Sequence, residues 1–123
     1  MPGKVYRTAI YCRLSREDGD KVESNSIASQ RAICEDYIAR HDDLEIVCEP
    51  FVDDGYSGVS FNRPNFKKLE DAIRKGAIDC IVVKDLSRFS RNYIDGGRYL
   101  EKIFPQLGIR FIAVNDAYDS LTG

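Results

Sequence analysis

The run Ile78-Asp79-Cys80-Ile81-Val82-Val83 decides the architecture of this chain. It is short, nearly all apolar and rich in isoleucine and valine. That is the composition of a strand covered on both faces, as in the centre of a parallel sheet. Such a strand needs helices above and below it, and its flanks supply them. Upstream, Pro64 suits the first turn of a helix, where its missing N–H is no loss, and Phe66, Leu69 and Ile73 recur at helical spacing before Gly76. Downstream, a polar loop over residues 85–92 leads to a helix over 93–104 that uses Ile94, Leu100, Ile103 and Phe104, with Pro105 and Gly108 closing it. Residues 109–114 read as another strand.

The N-terminal half has the same alternation. Residues 5–12 are β-rich and predict strand one. Residues 14–23 are polar, contain Gly19 and read as a loop. A helix over 26–40 places Ile27, Cys34, Tyr37 and Ile38 on one face, with Ser24 or Ser26 as its N-cap. Residues 44–52 predict strand two, and 53–63 form a loop containing Gly and Ser. The tail after Asn115 has no periodicity. Alternating strands and helices predict one α/β domain over residues 1–123: a mostly parallel sheet of about four to five strands with helices on both faces, in flavodoxin- or Rossmann-like layers. Ligands of such sheets collect at the carboxyl ends of the strands. In this chain those ends carry residues 13–16, 53–63 and 84–92.

Composition narrows the function. Hydrophobic residues make up 43% of the chain, enough for a core, and charged residues 31%, with a net charge of -2. A domain that binds nucleic acid by bulk charge would be strongly basic. Any phosphate site must therefore be a local cluster of arginines or depend on further parts of a longer protein. No apolar run reaches the roughly 20 residues of a membrane span, and no signal peptide is evident. Cys12, Cys34, Cys48 and Cys80 are widely spaced, without the close pairs of a zinc site. They read as free core thiols of a reducing compartment, the cytoplasm.

The arginines near the strand ends carry the chemistry. Arg13 and Arg16 follow strand one, Arg63 ends the second loop, and Arg88 and Arg91 flank Phe89-Ser90. Arginine presents a planar fork of donors that matches two phosphate oxygens, so several around one hydroxyl suit phosphoryl transfer. By spacing alone they are also accounted for as solvated surface arginines, as Arg74, Arg98 and Arg110 are read. Ser15 lies in the loop beside Arg13. The one histidine, His41, ends the first helix, where the dipole favours it, so a Ser-His-Asp triad is not expected. On these grounds alone Ser15 reads as a plain loop serine.

The stretch Tyr11-Cys12-Arg13-Leu14-Ser15 resembles the first motif of the serine site-specific recombinases, the resolvase/invertase superfamily, where a tyrosine, an arginine and a nucleophilic serine recur at this spacing. Three further matches follow in order. Ser26-Ile27-Ala28-Ser29-Gln30-Arg31 resembles the helix whose glutamine lies near the nucleophile. Asp53-Asp54-Gly55-Tyr56-Ser57-Gly58 with Asn62-Arg63-Pro64 resembles the loop contributing a serine and an arginine. Lys84-Asp85-Leu86-Ser87-Arg88-Phe89-Ser90-Arg91-Asn92 resembles the motif with two arginines three apart. The wording is most similar to the large recombinases of integrase and transposon type. Small resolvases usually have aspartate where Ser87 stands.

The resemblance implies DNA cleavage and rejoining. On that resemblance Ser15 is expected to attack a phosphodiester, form a 5′-phosphoserine ester and release a 3′ hydroxyl, which would later attack back. No metal, ATP or other cofactor is required, because the ester conserves the bond energy. Arg13, Arg88 and Arg91 are expected on the scissile phosphate and Arg63 in support. Gln30 and Ser57 are expected to orient their neighbours, with Arg16 and Ser87 on the substrate side. Partners are double-stranded DNA at specific attachment sites and further subunits, in a dimer or tetramer of the full-length protein. The long dimerisation helix and the DNA-binding and zinc domains of the family lie outside residues 1–123, so the isolated chain is expected to fold without recombining DNA. Two other readings compete: a metal-independent phosphatase or hydrolase on a flavodoxin-like sheet, and a non-catalytic association module. The first lacks a visible phosphate cradle around Cys or Asp. The second gives no reason for Ser15 among four arginines.

Overall fold

The computed structural model describes residues 3–15 and 26–121. Strand β1 (Tyr6–Leu14) is the spine of a six-stranded sheet. On one side it pairs in parallel with β2 (Leu44–Ile46) and β3 (Phe51–Asp54), and on the other with β4 (Cys80–Val83). Strand β4 pairs in parallel with β5 (Arg110–Ala113), and the short β6 (Tyr118–Asp119) closes that edge antiparallel. The mostly parallel sheet with helices on both faces is the predicted fold class, with six strands in place of the expected four to five because the second strand is split and the short β6 follows β5.

Alternation along each strand separates two cores. Ala9, Tyr11, Ile81, Val83, Phe111 and Ala113 face one side, where Phe66, Leu69 and Ile73 of α2 (Pro64–Arg74) pack with Phe89 and Phe104. Ile10, Cys12, Cys80, Val82 and Ile112 face the other, covered by Cys34 and Ile38 of α1 (Ile27–Ala39). The central run is therefore buried on both sides, as its composition requires. Ser26 is the N-cap of α1, its Oγ accepting from the Ser29 amide at 3.1 Å. His41 ends that segment, with Nδ1 2.7 Å from the Tyr37 carbonyl and its ring stacked on Tyr37.

Several boundaries differ from the sequence reading. Strand one continues through Arg13 and Leu14, because Arg13 pairs with Asp53 and Leu14 with Asp54. The predicted second strand is split in two. Thr8 pairs with Ile46 and Tyr11 with Phe51, so four intervening residues on one side face two on the other. The surplus includes Pro50, which has no N–H to give a ladder. Residues 86–89, read as loop, form a one-turn helix α3 (Leu86–Phe89) capped by Asp85. It is held by Phe89, which is 1% exposed and lies 4.9 Å from the Phe111 ring.

The last helical stretch runs as α4 (Tyr93–Arg98), a widened π turn over Tyr99–Ile103 and α5 (Phe104–Leu107). Pro105 does not end it. The Phe104 amide reaches back five residues to the Tyr99 carbonyl, and this widening makes room for a ring that would crowd the preceding turn of an α-helix. Gly108, at φ 72°, makes the stop. Arg110, read as a solvated arginine, is 7% exposed. It forks onto Asp119 at 3.0 and 2.6 Å and reaches Asp43 at 2.8 Å, tying the tail to the sheet edge. Such a partner is far off in sequence or in an aperiodic tail, so local pattern does not reveal it.

Candidate active site

Parallel pairing brings the carboxyl ends of β1, β3 and β4 to one edge, and the polar loops meet there. Ser15 is the first residue beyond β1 and is 6% exposed. The ladder runs almost to it, since the Gly55 amide donates to the Leu14 carbonyl at 2.5 Å.

Arg13, two residues earlier, is fully buried. Its guanidinium joins the three strand ends. Nε donates to the Arg88 carbonyl at 3.1 Å, Nη1 to the Tyr56 carbonyl at 3.0 Å and Nη2 to the Ser87 carbonyl at 2.6 Å. A buried charge is tolerated only when it is hydrogen-bonded, and carbonyl dipoles serve that purpose at this site. Arg88 returns the contact, with Nη1 donating to the Arg13 carbonyl at 3.0 Å. Its Nε lies 3.6 Å from Asp85 Oδ1. Two guanidinium groups are thus locked to each other's backbone, and two positive charges meet at the strand ends two residues before Ser15.

Gln30 serves this arrangement from α1. It is fully buried; its Oε1 accepts from the Arg13 amide at 3.1 Å and its Nε2 donates to the Arg13 carbonyl at 3.0 Å. The side-chain amide acts as one more strand partner for Arg13. The sequence predicts that Gln30 orients its neighbours, and the geometry makes Arg13's backbone the group it holds.

The other expected residues are spread around this centre. Arg91 is exposed, and its amide donates to the Gly58 carbonyl at 2.7 Å. Ser57 is half-buried and its Oγ accepts from the Val59 amide at 3.1 Å, which shapes the loop. Ser87 Oγ donates to Asp85 Oδ1 at 2.6 Å. Asp85 is thereby committed to Ser87 and to the Arg88 amide it caps at 3.1 Å. Arg63 is brought close but turned inward and fully buried. Its donors lie 2.6 Å from the Phe89 carbonyl, 2.8 Å from that of Ser60 and 3.3 Å from that of Gly58, and its guanidinium sits 4.6 Å from the Phe61 ring centre. Arg16 lies outside the described residues.

Asp53 and Tyr11, which stand in the motifs without an expected role, form the underlying frame. Asp53 is 1% exposed and accepts from Tyr11 Oη at 2.8 Å and from the Asn65 and Phe66 amides at 3.0 and 2.9 Å. It caps α2 from a distance, replacing Arg63, whose side chain at the N-cap position makes no cap bond. Burial pushes the Tyr11 phenol well above its usual value; Arg63 pulls the other way, and Asp53 adds to the rise. Tyr11 therefore stays a neutral donor. A helix opening on Arg63-Pro64 without a capping side chain was the available sequence signal for Asp53. Burial likewise pushes the Cys12 and Cys80 thiols up to about 12. All four cysteines are unbridged. Among the described residues no group of three His, Cys, Asp or Glu side chains is arranged to hold a metal ion, and no helix is long and apolar enough to cross a membrane.

Comparison with known proteins agrees with the fold and with the family that the motifs resemble. The family model described as the resolvase N-terminal domain matches residues 8–123. A Bacillus subtilis (strain 168) protein named "Putative DNA recombinase" is 31% identical over 87 residues, 71% of this chain. The chain spans 16% of the length of that relative. Among solved structures, the N-terminal catalytic domain of TP901-1 integrase superposes with a TM-score of 0.81 at 27% identity, covering 94% of this chain and 82% of that one. A resolvase family site-specific recombinase from Streptococcus pneumoniae gives 0.75 at 28% identity, covering 96% and 78%.

Proposed function

The chain belongs to the resolvase N-terminal domain family, and on that premise we propose that it cleaves and rejoins DNA strands in site-specific recombination, with Ser15 as nucleophile. The observation that carries the proposal is the reciprocal clasp of Arg13 and Arg88 on the backbone that ends in Ser15. It brings two positive charges together where the strand that leads into Ser15 ends, at the carboxyl edge of a parallel sheet.

In the proposed reaction Ser15 Oγ bonds to phosphorus and the P–O3′ bond breaks. Ser15 loses one proton and the 3′ oxygen gains one. The strand end is held as a 5′-phosphoserine ester until a 3′ hydroxyl reverses the step. Arg13, Arg88 and Arg91 neutralise the non-bridging oxygens as charge develops. Donors of this kind are each worth on the order of 100- to 1,000-fold in rate. Arg63 supports them, Gln30 and Ser57 hold the surrounding backbone, and Ser87 and Arg16 lie on the substrate side. Arg63, which is turned inward, reaches phosphate only by exchanging carbonyl partners, a change assigned to DNA and partner subunits in a dimer or tetramer of the longer protein. Double-stranded DNA binding then rests mainly on segments beyond this domain, in keeping with the net charge of -2. The cytoplasm is the proposed compartment.

The test is a covalent adduct. Full-length protein expressed in its host is denatured, digested with nuclease and examined by peptide mass spectrometry. A nucleotide mass on Ser15 is expected, and none in Ser15→Ala. An adduct that survives in Ser15→Ala rules out the nucleophile.

A further inference from the structure

Gly58 is the point where three of the arginines meet. Its carbonyl accepts from the Arg91 amide at 2.7 Å and from Arg63 Nη2 at 3.3 Å. Its α-carbon lies against the other two side chains. A methyl group added there would stand 2.7 Å from Arg13 Nη2, 3.0 Å from Arg13 Cζ and 2.9 Å from Arg91 Cγ. Gly58 is not among the glycines with positive φ, so its backbone is open to any residue. The need for glycine at this position is spatial, not conformational.

Neither neighbour yields easily. Arg13 Nη2 is the tip of a side chain, but that tip is fully buried and bonded to the Ser87 carbonyl, with Nε and Nη1 on two more. Moving it by about half an ångström breaks short charge-assisted bonds. Arg91 Cγ lies near the root of its side chain, where displacement swings the whole guanidinium. We infer that Gly58 is a positioning residue: by lacking a side chain it sets where the Arg13 and Arg91 guanidinium groups stand relative to the scissile phosphate. This rests on the phosphoryl-transfer reading above.

The test compares full-length wild type and Gly58→Ala on suicide duplexes carrying the site sequenced from DNA that co-purifies covalently with the denatured wild type before nuclease digestion. One duplex has an ordinary scissile phosphate. The other has a methylphosphonate, in which a methyl group replaces one charged oxygen and removes the need for an arginine there. Gly58→Ala is expected to slow cleavage of the phosphate by about 30-fold or more, the scale of a misplaced charged donor. The loss on the methylphosphonate should be about 3-fold or less. Each ratio is taken on one preparation, so a smaller folded fraction lowers both rates alike and cancels. If the single variant does not accumulate, the same ratio is read on Gly58→Ala with Arg91→Ala against Arg91→Ala alone, leaving only the Arg13 contact in play. Equal losses on both substrates, or no loss, overturn the inference. Failure of the wild type to form an adduct overturns the recombinase reading instead.

Discussion

Replacing Gln30 with alanine should unfasten Arg13 from α1. Gln30 is fully buried, and both ends of its amide are spent on one residue, at 3.1 Å to the Arg13 N–H and 3.0 Å to its carbonyl. The two losses differ. The carbonyl keeps its bond from Arg88 Nη1. The N–H loses the acceptor on α1 in a place that excludes water, which costs about 1–3 kcal/mol. The cavity left by the truncated side chain adds about 1 kcal/mol. Alanine's better helix propensity returns about 0.4 kcal/mol. The net destabilisation is about 1.6–3.6 kcal/mol, a large share of the stability of a domain this size. Urea unfolding should show it as a lower midpoint at unchanged slope. Hydrogen exchange should locate it, with the Arg13 amide accelerating more than those of Ala9 or Ile10 at the centre of β1. A loss under about 0.5 kcal/mol, or an Arg13 amide as protected as in the parent, would refute the reasoning, because the bidentate contact would then carry nothing.

Other outcomes follow from neighbouring contacts. Asp53→Ala removes the acceptor for Tyr11 and for two amides of α2 and should cost about 3–5 kcal/mol; Tyr11→Phe, which drops one bond, should cost about 1–2 in the same urea assay. In Asp79 and Asp119 burial pushes the carboxyls up, but bonds from Arg7 and from Arg110 outweigh it and hold both below their ordinary value. The unfolded chain therefore takes up protons first as pH falls. This stability is complete above about pH 4 and drains away as pH drops through the depressed folded values. Asp119→Asn should shrink that acid loss, and an equal loss in both proteins contradicts the ion-pair account. Burial raises the thiol value of all four cysteines, but Cys12, Cys34 and Cys80 are buried while Cys48 is half-buried and open to a reagent. A thiol reagent at about pH 8, near the ordinary thiol value, should label Cys48 first and the others at the rate of unfolding. Early labelling of Cys12 would show that β1 opens locally.

Much of the site was legible because its residues sit in contiguous loops. Ser15, residues 53–63 and residues 84–92 follow predicted strands, and parallel pairing alone sends strand ends to one edge. The direction of each arginine was not legible. Arg63 faces the Phe89 carbonyl and Arg91 is exposed, although both stand in polar loops of similar composition. The one-turn helix at Leu86–Phe89 was missed because four residues carry no period, and burial of Phe89 settles its place.

The sequence by itself determined the layered α/β fold and the polar edge. A run such as Cys80–Val83 has no exposed side to offer, and the helices on either hand repeat at helical spacing. It also determined, through four ordered motifs, the family to which the chain belongs. Only the tertiary structure decided which groups hold which. Arg13's donors end on carbonyls 43 to 75 residues away in sequence, and Gln30 reaches it from another layer. Asp53 caps a helix that begins 11 residues later. Local pattern reports which face of an element is apolar. It does not report which distant carbonyl a buried cation must find, because that choice is made by the strand order and register that close the core.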